Sequence, residues 1–169
     1  MSLRSIIFLM SLLKLLTFGL SSCAQSYEER LARLYKYSVP QITPDSLHHL
    51  VSEKESPLIL DTRQPEEYAV SHIDGALLID YDQFDPQMVV DYDRSKPVVV
   101  YCSVGYRSER IGEKLQEMGF ENVVNLYGGI FQWKNEGFEV VDKAGDTTNL
   151  VHTYNRRWSK WLTNGEKIY

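Results

Sequence analysis

The sequence has only two cysteines in 169 residues, Cys23 and Cys102, so it lacks a disulfide framework. It has no excess of positive charge. Eighteen Lys and Arg stand against 23 Asp and Glu, and the net charge of −5 gives no basic footprint for nucleic acid. It also lacks a convincing metal-ligand set. His48 and His49 adjoin in a stretch of helical pattern, cannot share a face, and read as solvated. Asp80, Asp82 and Asp85 are without the sixth-position glycine and the terminal glutamate of a calcium loop, and read as a solvated, helix-capping segment. No motif asks for a cofactor. Nor is there an apolar run of membrane length, because residues 6–20 are too short and too interrupted for a comfortable span. At 43% hydrophobic and 24% charged, what remains is an ordinary globular chain, long enough for one domain with a buried core plus extensions.

The N-terminal apolar stretch reads as an address. Arg4 and the free amine make a positive start, and residues 6–20 suit the apolar region of an export signal. Leu20-Ser21-Ser22-Cys23 resembles a bacterial lipobox. That resemblance implies that residues 1–22 are a lipoprotein-type signal peptide and that Cys23 is lipidated as the mature N-terminus. It implies an exported bacterial protein on the periplasmic side, anchored in a membrane. A plain signal peptide cut near Ala24 and an uncleaved amphipathic anchor are the alternatives, and Lys14 departs from the pattern as a charge inside the apolar region. With lipid on Cys23, Cys102 is the free thiol, and a dithiol cycle within one chain is excluded.

Residues 98–120, VVVYCSVGYRSERIGEKLQEMGF, hold the chemistry. VVVY reads as a strand covered on both faces. A helix from about Ser108 places Ile111, Leu115 and Met118 on one face, with Gly119 where a left-handed cap would end it. Between them Cys102 sits at the carboxyl end of a buried strand, where open α/β sheets bind ligands. The following helix turns its unpaired N–H groups and dipole toward the sulfur. Gly105 lets the backbone curl, and Arg107 adds a permanent cation suited to an oxyanion. Such surroundings favour the thiolate, which is the nucleophile. The competing interpretation is an ordinary buried cysteine; the close spacing of glycine, arginine and helix start favours the reactive one. Elsewhere, strands alternate with helices, the pattern of a parallel α/β sheet.

This loop is similar to the active-site loop of the rhodanese (sulfurtransferase) family. LILDTRQPEEYAVSHIDGA, residues 58–76, and NLYGGIFQW, residues 125–133, resemble two further segments of that family in the same order. The resemblance implies a rhodanese-like domain over residues 41–142: α/β, an open, mostly parallel sheet with helices on both faces. It implies that Cys102 attacks the outer sulfur of a thiosulfate-like anion, becomes a persulfide, and passes the sulfur to a nucleophilic or thiol acceptor. Arg107 would hold the donor anion, and Ser103, Val104, Gly105, Tyr106 and Ser108 would hold the persulfide. Asp61, Arg63 and Glu67 would be structural supports, with Glu67 as partner of Arg63. Read locally, they are a surface ion pair of little weight. His72 is a fold marker, and Ser71 departs from the usual glycine. No cofactor and no metal are implied.

Two segments stay open. Residues 23–40 are a spacer or a leading helix with Leu31, Leu34 and Tyr35 on one face, and carry no assigned chemistry. Residues 143–169 are an extension of unknown role, with a linker at 146–149 and a turn at Asn164-Gly165. The extension holds Arg156, Arg157, Lys160 and Lys167 against Glu166 in its last half, and Trp158 and Trp161 at helical spacing. It either packs its aromatics on the domain or docks a protein partner or anionic lipid. Two rival functions are a Cys-x5-Arg phosphatase, disfavoured because four residues separate Cys102 from Arg107, and a non-enzymatic persulfide carrier or partner-binding module.

Overall fold

The computed structural model describes residues 26–52 and 57–169, so the export segment and Cys23 lie outside the described residues. The chain divides into two compact units, one ending at Arg30 and one spanning Leu31–Tyr169. Helix α1 (Tyr27–Ala32) opens with a reciprocal cap. Glu29 N–H donates to Ser26 Oγ at 3.1 Å, and Ser26 N–H to Glu29 Oε2 at 3.3 Å.

Within the second unit, strands β1 (Gln41–Ile42), β2 (Leu58–Asp61), β3 (Leu77–Leu78), β4 (Val98–Tyr101) and β5 (Val123–Leu126) form one parallel sheet in the order β1-β5-β4-β2-β3. Helix α2 (Pro44–Ser52) leads from β1 toward β2, and α3 (Pro65–Val70) joins β2 to β3. Helix α4 (Tyr106–Glu117) joins β4 to β5, and α5 (Gly129–Asn135) follows β5. Helix α2 starts at Pro44, with Thr43 capping it: Ser46 N–H donates to Thr43 Oγ1 at 3.2 Å. The acidic segment before β4 contains a short 3-10 turn (Pro86–Val89), capped by Asp85 Oδ1 accepting from Gln87 N–H at 2.9 Å.

The strand order places the site. The β2–β3 connection steps outward one way, and the β4–β5 connection steps the other way. Right-handed crossovers then put α3 and α4 on opposite faces. The carboxyl ends of β2 and β4 therefore flank the crevice where an open sheet reverses its winding. In this register Asp61 lies beside Tyr101, and Cys102 is the first residue past β4. Alternation along the strands fills both faces. Leu60, Val98, Val100 and Val123 pack with Ile111 and Leu115 of α4 in one buried cluster. Ile59, Val99 and Tyr101, on the opposite side, are buried as well, which is why VVVY carries no polar alternation.

The C-terminal extension is part of this unit. Residues 146–149 are no linker: β7 (Thr147–Thr148) pairs antiparallel with β6 (Val140–Val141). Asp142 Oδ1 turns that hairpin by accepting from the Ala144 and Asp146 N–H groups at 2.8 and 3.1 Å. A two-residue strand has no periodicity to detect, so the sequence alone shows only a linker there. Strands β8 (Leu150–His152) and β9 (Glu166–Ile168) then pair in parallel across a 3-10 turn (Ser159–Trp161), so the Asn164-Gly165 turn does not close a hairpin. Asn135 at the end of α5 ties the segment down. Its amide donates to Trp161 O at 2.9 Å, and its Oδ1 accepts from the Thr163 and Asn164 N–H groups at 2.7 and 3.2 Å. Val151, Thr153 and Leu162 are fully buried, so the extension packs on the domain.

Candidate active site

The loop from Cys102 to Arg107 is held from outside by its carbonyl oxygens. Ile130 N–H donates to Cys102 O at 2.9 Å, and Phe131 N–H to Ser103 O at 3.2 Å. Tyr35 Oη donates to Val104 O at 2.7 Å, and Asn125 Nδ2 to Gly105 O at 2.9 Å. With consecutive carbonyls turned outward, the loop's N–H groups are left for its interior. Gly105 N–H donates to Cys102 Sγ at 3.1 Å. Outward carbonyls with an N–H on the sulfur are the backbone arrangement in which successive N–H groups can hold a charged atom.

Two glycines make the approach possible. Gly105 has φ +92°, and a Cβ there would collide with Tyr35 Oη. Gly129 has φ +57°, and a Cβ there would collide with the Cys102 carbonyl. Both positions combine a left-handed backbone with no room for a side chain, which only glycine satisfies. Helix α4 begins at Tyr106, not near Ser108, because Gly105 already serves as its N-cap. Ser108 is consequently inside the helix. Its hydroxyl donates to Asn125 Oδ1 at 2.7 Å, and it does not line the cavity beside Cys102.

The supporting charges pair differently from the sequence expectation. Arg63 is bound to Asp61, not Glu67: Nη2 reaches Asp61 Oδ2 at 2.6 Å and Ser71 O at 2.6 Å, and Nε reaches Oδ1 at 3.0 Å. Nor is this a surface pair, since both side chains are 0% exposed. Burial alone would lower the Arg63 pKa, but the Asp61 charge and hydrogen bonds outweigh it and raise it. Glu67 instead reaches across the crevice, as it sits at the third position of α3 with Gln64 as its cap. It accepts from Arg107 Nη1 and Nη2 at 2.7 and 2.8 Å and from Ser103 Oγ at 2.9 Å. Burial pushes the Glu67 carboxyl up, but the hydrogen bonds and charge of Arg107, with Arg63 and the Gln64 N–H, hold it below the usual carboxylate range. The Arg107 side chain is 15% exposed and is therefore not a bare cation waiting for an oxyanion. Its own pKa is raised. Burial acts against the charged form, but Glu67 and the Cys102 sulfur favour it more strongly.

Cys102, 1% exposed, lies in the lining of a cavity of about 360 Å³. Ser103, Val104, Tyr106 and Arg107 line it from the loop, and Gln64 and Asp82 from the β2 and β3 side. Gln64 Nε2 donates to Asp82 Oδ2 at 2.8 Å. The remaining wall is non-local: Leu34 before the sheet, Tyr81, and Tyr154 with Trp158 from the extension. The Tyr154 ring lies over the Arg107 guanidinium at 5.5 Å.

Three residues that hold the loop in place go unmarked in the sequence reading. Tyr35, in the segment given no chemistry, both donates to Val104 O and accepts from Gly128 N–H at 2.9 Å, joining the loop to the start of α5. Buried Glu109 holds that segment in place by accepting from Lys36 and Ser38 N–H at 3.0 and 3.1 Å. The third is Asn125, a polar residue in a fully buried strand position, and that is the one signal the sequence offered. His72 does act as a fold element: its N–H and C=O pair with Val141 at 2.8 and 2.9 Å, and its ring stacks on Tyr68 at 3.8 Å. His48 is exposed, as expected, and stacks on Phe138 at 4.6 Å.

Comparison with known proteins gives a consistent result. The model of the rhodanese-like domain matches residues 43–136. A protein of Allochromatium vinosum named sulfurtransferase is 32% identical over 107 residues, covering 63% of this chain and 99% of that protein. A Bacillus subtilis protein named putative sulfur carrier protein YrkF is 29% identical over 96 residues, covering 57% of this chain and 51% of that one, so the chain spans about half its length. Among solved structures, a rhodanese-like domain protein from Staphylococcus aureus is 31% identical with a TM-score of 0.54, over 62% of this chain and 98% of that chain.

Proposed function

Since the chain belongs to the rhodanese-like domain family, we propose that it is a sulfurtransferase working through a persulfide on Cys102. The observation that carries this reading is the loop with outward carbonyls and Gly105 N–H on the sulfur. Cys102 thiolate attacks the outer sulfur of a sulfane donor. The donor's S–S bond breaks, its inner sulfur leaves with the electron pair, and Cys102–S–S⁻ forms. The terminal sulfur then sits among backbone N–H groups. An acceptor nucleophile, a thiol for instance, takes that sulfur and returns the cysteine thiolate. No net oxidation or reduction of the protein occurs. Two half-reactions through a covalent intermediate predict ping-pong kinetics. Thiosulfate is the simplest donor for the assay, with cyanide as acceptor and thiocyanate as the measured product. Turnover should disappear in Cys102→Ser. A Cys102→Ser protein that still turns over at the wild-type rate contradicts the proposal.

A second reading has the same first step but delivers the persulfide sulfur to a partner protein, and the resemblance to a protein named as a sulfur carrier supports it. Failure of every small-molecule acceptor to discharge the Cys102 persulfide would favour it. The phosphatase reading loses support from the loop, where four residues separate Cys102 from Arg107 and Arg107 is engaged by Glu67. The proposal also includes export and lipid anchoring, supported by residues 6–20 and Leu20-Ser21-Ser22-Cys23 alone. Its test is incorporation of labelled palmitate, with loss of label in Cys23→Ser; equal labelling of both proteins contradicts it.

A further inference from the structure

Apart from the backbone N–H groups around the sulfur, the cavity beside Cys102 has little to offer a small dianion. Among the described residues Arg107 is the one cation in its lining, and its charge is paired with the Glu67 carboxylate, which accepts from both of its terminal nitrogens. Nη2 also donates to Ser103 Oγ at 3.0 Å. Asp82 adds a carboxylate to the same lining, bonded to the neutral amide of Gln64. A doubly charged donor approaching a thiolate here gives up water without gaining an uncompensated cation.

What the cavity does offer is apolar and aromatic surface: Leu34, Tyr81, Val104, Tyr106, Tyr154 and Trp158. About 360 Å³ is a small-molecule pocket, with room for a ring beside the reacting sulfur. Tyr154 stands out because its backbone is left-handed, at φ +63°, a strained conformation for a side chain of this size. That conformation accompanies a ring placed over Arg107, where it covers the guanidinium.

We infer that the donor is an organic sulfane-sulfur compound whose sulfur carries an apolar or aromatic group, and that Tyr154 and Trp158 of the C-terminal extension select it over inorganic thiosulfate. The inference rests on the sulfur-transfer reading and names its substrate class. Thiosulfonates test it, because their reacting atoms match those of thiosulfate. The Cys102 thiolate attacks the outer sulfur of R–SO2–S⁻, the S–S bond breaks, and the sulfinate R–SO2⁻ leaves.

The experiment measures kcat/KM of the full chain with benzenethiosulfonate, methanethiosulfonate and thiosulfate, each divided by the donor's rate with a small free thiol. The expected order is benzenethiosulfonate, methanethiosulfonate, thiosulfate, with the phenyl group giving roughly tenfold or more over the methyl. Tyr154→Ala should bring the phenyl-to-methyl ratio toward one, and Tyr154→Phe should keep it. Trp158→Ala should act in the same direction as Tyr154→Ala. Glu67→Gln replaces one of the two accepting oxygens with a donor and releases the Arg107 charge, and should raise thiosulfate relative to both thiosulfonates. A thiosulfate preference in the wild type, a phenyl-to-methyl ratio near one, or a ratio unmoved in Tyr154→Ala overturns the donor class while leaving sulfur transfer standing. Failure of all three donors to load sulfur on Cys102 overturns the sulfur-transfer reading, and this inference with it.

Discussion

Two tyrosines reach the Cys102 loop from opposite ends of the chain, and they do different work. Tyr35 is 7% exposed and holds the loop with two hydrogen bonds, one to Val104 O and one from Gly128 N–H. Tyr154 is 52% exposed and makes a ring-over-cation contact with Arg107. The first belongs to the frame that shapes the cradle: buried, hydrogen-bonded, intolerant of change. The second belongs to the wall that a substrate meets. Such a division lets the reacting loop stay fixed while the walls of the cavity vary, as expected where chemistry sits on a rigid scaffold and selectivity on a peripheral segment.

The comparison is sharpened most by breaking the frame at its buried ion pair. Arg63→Ala leaves Asp61 charged and unpaired in a fully buried position, and should cost about 3–5 kcal/mol in urea unfolding. Next comes Tyr35→Phe, which removes the hydrogen bonds to the Val104 carbonyl and from the Gly128 N–H. A loss of about 1–3 kcal/mol is expected, together with a fall in the rate of sulfur loading. Acid should loosen the same frame through Glu67. Its folded pKa lies below the ordinary value of 4.5, so its stabilisation is fully present above the ordinary carboxylate range. It is lost as the pH falls through and below that range. The urea midpoint of the wild type should drop there more steeply than that of Glu67→Gln. Smallest of all, Tyr154→Ala should change stability by no more than about 0.5 kcal/mol. If Tyr154→Ala destabilises as much as Tyr35→Phe, the division between frame and wall is wrong.

How far the sequence showed all this follows from the range of the interactions. The strand–loop–helix around Cys102 was legible because a buried strand, a glycine and an amphipathic helix leave local patterns. Pairing of the charges was not. Glu67 lies four residues after Arg63, which invites a local pair, yet buried charges settle by three-dimensional reach, and Glu67 meets an arginine forty residues on. In the sequence Tyr35 shares one apolar helical face with Leu31 and Leu34, and nothing in its neighbourhood announces a partner 69 residues away. The wall built by Tyr154 and Trp158 was hidden for a related reason. The extension's strands are two or three residues long, so no periodicity marks them.

The most direct test of the account is intact-mass measurement of the protein after exposure to a sulfane donor, with benzenethiosulfonate and thiosulfate in parallel. The account predicts a gain of one sulfur atom on the wild type, absent in Cys102→Ser and reversed by cyanide, and faster with benzenethiosulfonate. No gain with either donor, while Cys102 still reacts with an alkylating agent, would contradict a persulfide mechanism at this cysteine.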